Sequence, residues 1–151
     1  MSVEAKLKEL GIDIPPAAAP AAAYIPAVRS GNLIFVSGQL PSKDGELVKG
    51  ILGRDLTTAE GYEAARLCAL NCLGAVKSLV GSLDRVQRIV KVTGFVAATP
   101  DFTEHPQVIN GASELMQQIF GDKGMHARAA VGMASLPLGV AVEVEMIVEV
   151  N

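Results

Sequence analysis

A chain of 151 residues, half of them apolar, has the length of one domain and enough nonpolar material for a core. A net charge of −3, four Phe, two Tyr and no Trp leave it without the cationic footprint or stacking surface that nucleic-acid binding uses. No segment approaches the roughly 20 apolar residues of a bilayer span, and the charged N-terminus has no secretory h-region, so a cytoplasmic protein free of membrane is expected.

Ser2 to Leu10 has apolar residues at helical spacing, and Gly11 stops it. Residues 14–24 carry Pro15, Pro16 and Pro20 among alanines, which predicts an extended arm lying on the body. The arm delivers Tyr24 and Ile25 to a short strand at Ala27–Arg29. After the Ser30-Gly31-Asn32 turn, Leu33–Val36 reads as a buried strand, broken by Ser37-Gly38-Gln39-Leu40-Pro41. Leu47–Ile51 is a third strand candidate.

Thr57 and Glu60 form a capping box that opens a helix from Thr58 to Val80, ended by Gly81. Its stripe of Ala65, Ala69, Cys72, Val76 and Leu79 is rich in small residues, which permit close approach to a sheet. Cys68 and Cys72 share that helix at a spacing poor for a bridge, and read as buried thiols in a reducing compartment. Arg88–Ala98 alternates as a strand, with Val90, Val92, Gly94 and Val96 expected on one side. Pro106 suits the first turn of a second long helix, whose apolar stripe is Ile109, Ala112, Met116, Ile119 and Phe120, and Gly121 ends it.

The last quarter, His126 to Val150, reads as two strands joined by a turn at Leu136-Pro137-Leu138-Gly139. In the second, Val140, Val142, Val144, Met146, Val148 and Val150 alternate with Ala141, Glu143, Glu145, Ile147 and Glu149. Arg128 stands at the start of the first, so an arginine and two carboxylates are expected on neighbouring strands. The order β-β-β-α-β-α-β-β predicts an α+β layer with both helices on one face of a mixed sheet. The apolar stripe of the last strand is too large to leave in water, which predicts an obligate homo-oligomer with sheets packed together.

The sequence holds no zinc-spaced Cys/His cluster, no P-loop, no GxGxxG and no GxSxG. Chemistry run by an arginine, a carboxylate and water remains. An arginine fixed at a strand start takes a carboxylate with two parallel hydrogen bonds, or pairs structurally with Glu143 or Glu145. Either glutamate can hold and polarise a water, or face solvent. Tyr24 can donate to a ligand or anchor the arm. Ser37 can cap a strand end or line a pocket, and His126 reads as a loop residue.

The run Gly31–Pro41, the helix from Thr58, and Ala127-Arg128 followed by Leu136-Pro137 and Val142-Glu143-Val144-Glu145 resemble the Rid superfamily. These are the reactive intermediate deaminases, or YjgF-like proteins. Within it, the long N-terminal arm and the last strand look most like the endoribonuclease L-PSP/chorismate mutase-like subgroup. The resemblance spans about Tyr24 to Val150 and divides the chain into an N-terminal helix and Pro/Ala-rich arm, 1–23, and one YjgF-like domain, 24–151. It implies a chorismate-mutase-like fold, a homotrimer around a sheet-lined barrel, and ligand clefts between subunits. In deaminating members an arginine clamps the carboxylate of a 2-imino acid, a glutamate helps hold the attacking water, and a 2-keto acid and ammonia result. Carried onto this chain, the arginine is Arg128, the glutamate Glu143, the cleft tyrosine Tyr24 and the serine Ser37. No cofactor or metal is implied. Ala130 departs from the cysteine or other polar residue often found two positions after the arginine. That departure favours a second reading, a non-catalytic module holding a small carboxylate. Endoribonuclease action, the family's inherited label, is a third. Asn110 is the nearest candidate for an asparagine used by some members.

Overall fold

In the computed structural model, residues 1–17 and 23–151 are described. Positions 18–22 of the expected arm lie outside them. The chain forms α1 (Val3–Leu10), β1 (Ala27–Ser30), β2 (Leu33–Gln39), β3 (Ser42–Lys43), β4 (Glu46–Leu47), α2 (Thr58–Val80), β5 (Val86–Ala97), α3 (His105–Phe120), β6 (Ala127–Met133) and β7 (Val142–Val150). Five strands make one sheet in the order β1-β2-β7-β5-β6. Only β5 and β6 run parallel, so the sheet is mixed. This is the expected α+β layer.

The helix ends follow from their caps. Ser2 caps α1, and Gly11 closes it with a left-handed φ of 69°. The Thr57 hydroxyl accepts from the Glu60 backbone N–H at 3.2 Å, while Glu60 Oε1 accepts from the Thr57 N–H at 2.9 Å. That reciprocal box satisfies donors a helix start otherwise leaves unpaired. Residues 14–17 run along α2, where the Pro15 carbonyl sits against Gly74.

The core lies between the helices and one face of the sheet. Val142, Val144, Met146, Val148 and Val150 all face it and are buried. Ala65, Ala69, Cys72 and Val76 of α2 and Ile109, Ala112, Met116, Ile119 and Phe120 of α3 cover them. Both thiols are buried and free, with Sγ atoms near the Val142 and Val144 carbonyl oxygens. Burial pushes both well above the usual thiol range.

Beyond Leu79 of α2, expected on the packed stripe but 44% exposed, four expectations need correction. The valine stripe of the last strand is covered by the chain's own helices, so it is not the surface left for association. The opposite face is the uncovered one, and it carries Val28, Phe35 and Val131, which are 50%, 44% and 40% exposed. Second, β6 and β7 are not neighbours, because β5 lies between them. Third, Leu47–Ile51 is not a strand of the main sheet: Glu46–Leu47 pairs with Ser42–Lys43 in a small hairpin, and Lys49 only bridges Val140. Fourth, the pairing of β5 with β7 shifts between Ile89 and Lys91, so Ile89 takes the buried place expected for Val90. A bulge of this kind turns the side chains that follow it to the other face.

Candidate functional site

β6 is an edge strand, and its register on β5 pairs Arg128 with Val92 and Ala130 with Gly94. Val92 faces the helices, so Arg128 does too. Gly94 makes this possible, since a Cβ there would collide with Ile109. Without that Cβ, α3 settles onto β5 and brings the next turn of the helix over Arg128. Nη1 of Arg128 donates to Asn110 Oδ1 at 2.8 Å and to Ser113 Oγ at 3.2 Å. Ser113 is only 6% exposed. The Ser113 hydroxyl also lies 2.8 Å from His126 Nε2, and His126 Nδ1 lies 2.6 Å from the Gly124 carbonyl oxygen.

Arg128 forms no ion pair among the described residues. The structural alternative, an arginine neutralised by Glu143 or Glu145, therefore does not describe this chain. A half-buried guanidinium held by two neutral side chains keeps its charge available to an anion. With both Nη1 hydrogens occupied, Nε and Nη2 are the donors left. They lie on one edge of the guanidinium, the arrangement that takes a carboxylate through two parallel hydrogen bonds.

The other three candidates gather elsewhere. β2 and β7 shift register between Val36 and Gln39, so Ser37 and Gly38 sit in an irregularity rather than a regular ladder. The Ser37 hydroxyl donates to the Ile25 carbonyl at 2.7 Å, and its N–H to the Pro26 carbonyl at 2.8 Å. These two bonds fix the chain beside Tyr24, whose own side chain is 54% exposed. Tyr24 is thus left more than half open to solvent. Glu143 lies across Gly38, where a Cβ would come within 2.9 Å of the carboxyl carbon. Burial pushes the half-buried Glu143 carboxyl above its ordinary value, and the charge of Glu145 adds to the shift.

Arg128 and Glu143 do not meet. Glu143 pairs with Phe95 on the uncovered face, whereas Arg128 lies level with Val92 and Met146 on the helix side. Two strand spacings and three residues separate them, about 10 Å in each direction. Neither of two surface concavities joins them. One, about 760 Å³, lies between residues 11–17, the β3–β4 turn and α2. The other, about 350 Å³, lies at Phe102, His105 and Gly132.

Sequence reasoning left Asn110 unplaced, took His126 for a loop residue and missed Ser113. A signal was present: Asn110 and Ser113 are polar residues three apart, beside the apolar stripe of Ile109, Ala112 and Met116. Such a pair within a buried stripe requires a polar partner, and Arg128 is that partner.

No helix among the described residues is long and apolar enough to cross a membrane. Residues 4–150 match the family model described as "YjgF/chorismate mutase-like, putative endoribonuclease". Protein TCP17 of Trypanosoma cruzi is 51% identical over 151 residues, covering 99% of this chain and 94% of its own. A crystal structure of an Agrobacterium tumefaciens protein of unknown function is 49% identical, with a TM-score of 0.90 over 99% of this chain and 94% of that one. A Shewanella oneidensis crystal structure described as "a putative endoribonuclease" is 34% identical, with a TM-score of 0.95 over 99% of this chain and all of the other. On these matches, and on the mixed sheet and helix layer described above, the chain belongs to the YjgF/chorismate mutase-like family.

Proposed function

We propose that this protein hydrolyses small 2-imino acids, and their enamine tautomers, to 2-keto acids and ammonia, at clefts between subunits of a homotrimer. The observation that carries the reading is Arg128, a half-buried guanidinium bound by Asn110 and Ser113 and paired with no carboxylate among the described residues. A 2-imino acid supplies the missing anion. The substrate carboxylate bridges Nε and Nη2. That fixes the imine carbon relative to a water held by Glu143, with Tyr24 and Ser37 lining the same cleft. Water oxygen adds to the imine carbon and Glu143 takes the proton released. Glu143 returns that proton to the nitrogen, the carbinolamine hydroxyl gives up its own proton as C=O forms, the C–N bond breaks, and ammonia leaves a 2-keto acid. Imines hydrolyse unaided, so orientation of carboxylate and water supplies the modest acceleration required. No cofactor takes part in this chemistry.

A homotrimer reconciles the two half-sites. Tyr24, Ser37 and Glu143 lie at one end of the uncovered face, and Arg128 with Asn110 on the helix side at the β6 edge of the sheet. A neighbouring copy that covers Val28, Phe35 and Val131 can bring its Glu143 group to the Arg128 edge. In this scheme residues 24–151 form the ligand-binding domain and residues 1–23 the N-terminal helix and Pro/Ala-rich arm. The two unbridged thiols suit the reducing cytoplasm.

A second reading has its own support. Ala130 puts a methyl group, not a polar one, beside Arg128 on β6. A module that holds small carboxylates without turnover uses the same arginine. Endoribonuclease action, named in the family description, is less well supported. The net charge is −3, and His105 and His126 belong to separate contacts, one at Gly132 and one at Ser113.

The test follows the decay of 2-iminopropanoate and larger analogues generated in situ. Faster decay with wild type and not with Arg128→Ala supports the deaminase reading. No acceleration by a trimeric wild type, with a keto acid still bound, supports the carboxylate-binding module.

A further inference from the structure

Arg128 sits at the head of a hydrogen-bonded series that runs away from the candidate cleft into the protein. Its Nη1 donates to Ser113 Oγ, which is 2.8 Å from His126 Nε2, and His126 Nδ1 is 2.6 Å from the Gly124 carbonyl. A carbonyl oxygen only accepts, so the proton of a neutral imidazole resides on Nδ1. Nε2 is then an acceptor, and the Ser113 hydroxyl must donate to it. That leaves the Ser113 oxygen lone pairs turned toward Arg128. Every donor in the series has one acceptor, in one order only.

We propose that Ser113 and His126 are positioning residues for Arg128, holding its guanidinium so that the Nε–Nη2 edge faces a substrate carboxylate. The inference rests on the reading that Arg128 binds such a carboxylate, and it adds residues that reading does not use. Asn110 alone would hold Nη1 through one bond, about which the guanidinium can swing. The second bond, to Ser113, fixes its plane, and a bidentate fork works only when that plane is fixed. His126 sets the direction of the Ser113 bond. A serine hydroxyl without that acceptor could turn its hydrogen toward Arg128 and become a repelling donor. Gly124, which closes the series, belongs to the turn after α3, so the geometry is carried by three separate elements: α3, the turn and β6. Burial and the nearby Arg128 charge both hold the His126 imidazole below its ordinary value, while the Gly124 bond opposes them.

The test combines two measurements on the full-length protein. Nitrogen-15 NMR of labelled histidine reads the tautomer, and calorimetric titration with pyruvate reads the fork. The expected spectrum shows His126 protonated at Nδ1 and bare at Nε2. Pyruvate affinity is expected to fall about tenfold in Ser113→Ala and in His126→Ala. It should return to within about threefold of wild type in Ser113→Thr and in His126→Gln, which retain a hydroxyl and an acceptor. Recovery by the conservative pair separates positioning from a general packing effect, as does an unchanged melting temperature in Ser113→Ala. A proton on Nε2, or wild-type pyruvate affinity in Ser113→Ala, overturns the inference and leaves the carboxylate reading standing. A wild-type protein that binds neither pyruvate nor any larger 2-keto acid overturns the carboxylate reading, and the inference with it.

Discussion

Arg128 and Glu143 point to opposite faces of one sheet, with β5 between their strands. The helix side of β6 holds the guanidinium, and the uncovered side of β7 holds the carboxylate. In the proposed scheme a single chain therefore presents two half-sites, an anion-binding one fixed by α3 and a proton-accepting one fixed by the Ser37–Gly38 irregularity. They can be perturbed separately.

Gly38→Ala perturbs the second half. Its methyl would come within 2.9 Å of the Glu143 carboxyl carbon, so the carboxylate must turn away. Imine hydrolysis should fall by about tenfold or more, as a mispositioned water-holding group requires. Pyruvate affinity, set at Arg128, should change by less than about threefold. Parallel kinetics and calorimetry check the split.

Glu143 gives a pH signature. Its folded pKa is raised above 4.5 by burial and by Glu145. A raised carboxyl contributes stability that is fully present below pH 4.5 and is lost as pH rises through the folded value. Glu143→Gln should remove this component, so the wild-type melting temperature gains relative to the variant's as pH is lowered through that window. Thermal melts of both proteins across the window test it.

Gly94→Ala perturbs the first half through packing. The new methyl meets the buried Ile109 side chain and lifts α3 from β5. A loss of about 1–3 kcal/mol is expected from overpacking. Asn110 and Ser113 move with α3, so pyruvate affinity should fall with it. Denaturant unfolding and calorimetry on the same sample measure both effects. An overpacked variant with full affinity would mean that α3 does not set the position of Arg128.

Much of this was legible from residues alone, because caps and periodicity are local. Thr57, Glu60, Gly81 and Gly121 bounded the long helices where the structure bounds them. The two-residue period of Val142–Val150 correctly sorted side chains into two faces. It could not say which face the helices would cover, and the apolar stripe was assigned to the wrong one. Strand order was also out of reach. Consecutive strands are spatial neighbours in only about two cases in three, and here β5 enters between β6 and β7. That single insertion moves Glu143 and Glu145 away from Arg128. The bulge at Val90 carries no sequence mark, because Ile89, Val90 and Val92 are equally suited to burial. The Asn110–Ser113–His126 contacts were hidden for a further reason. They depend on how low α3 sits, which Gly94 decides from another strand.

The most direct test of the composite site mixes two inactive proteins. Arg128→Ala retains the Glu143 half-site, and Glu143→Gln retains the Arg128 half-site. Subunits are exchanged by mild denaturation and refolding of an equimolar mixture, and 2-iminopropanoate decay is measured. If each cleft takes Arg128 from one chain and Glu143 from its neighbour, random assembly should restore about a quarter of wild-type activity. Mixed oligomers that form and remain as inactive as either parent would contradict a site shared between chains.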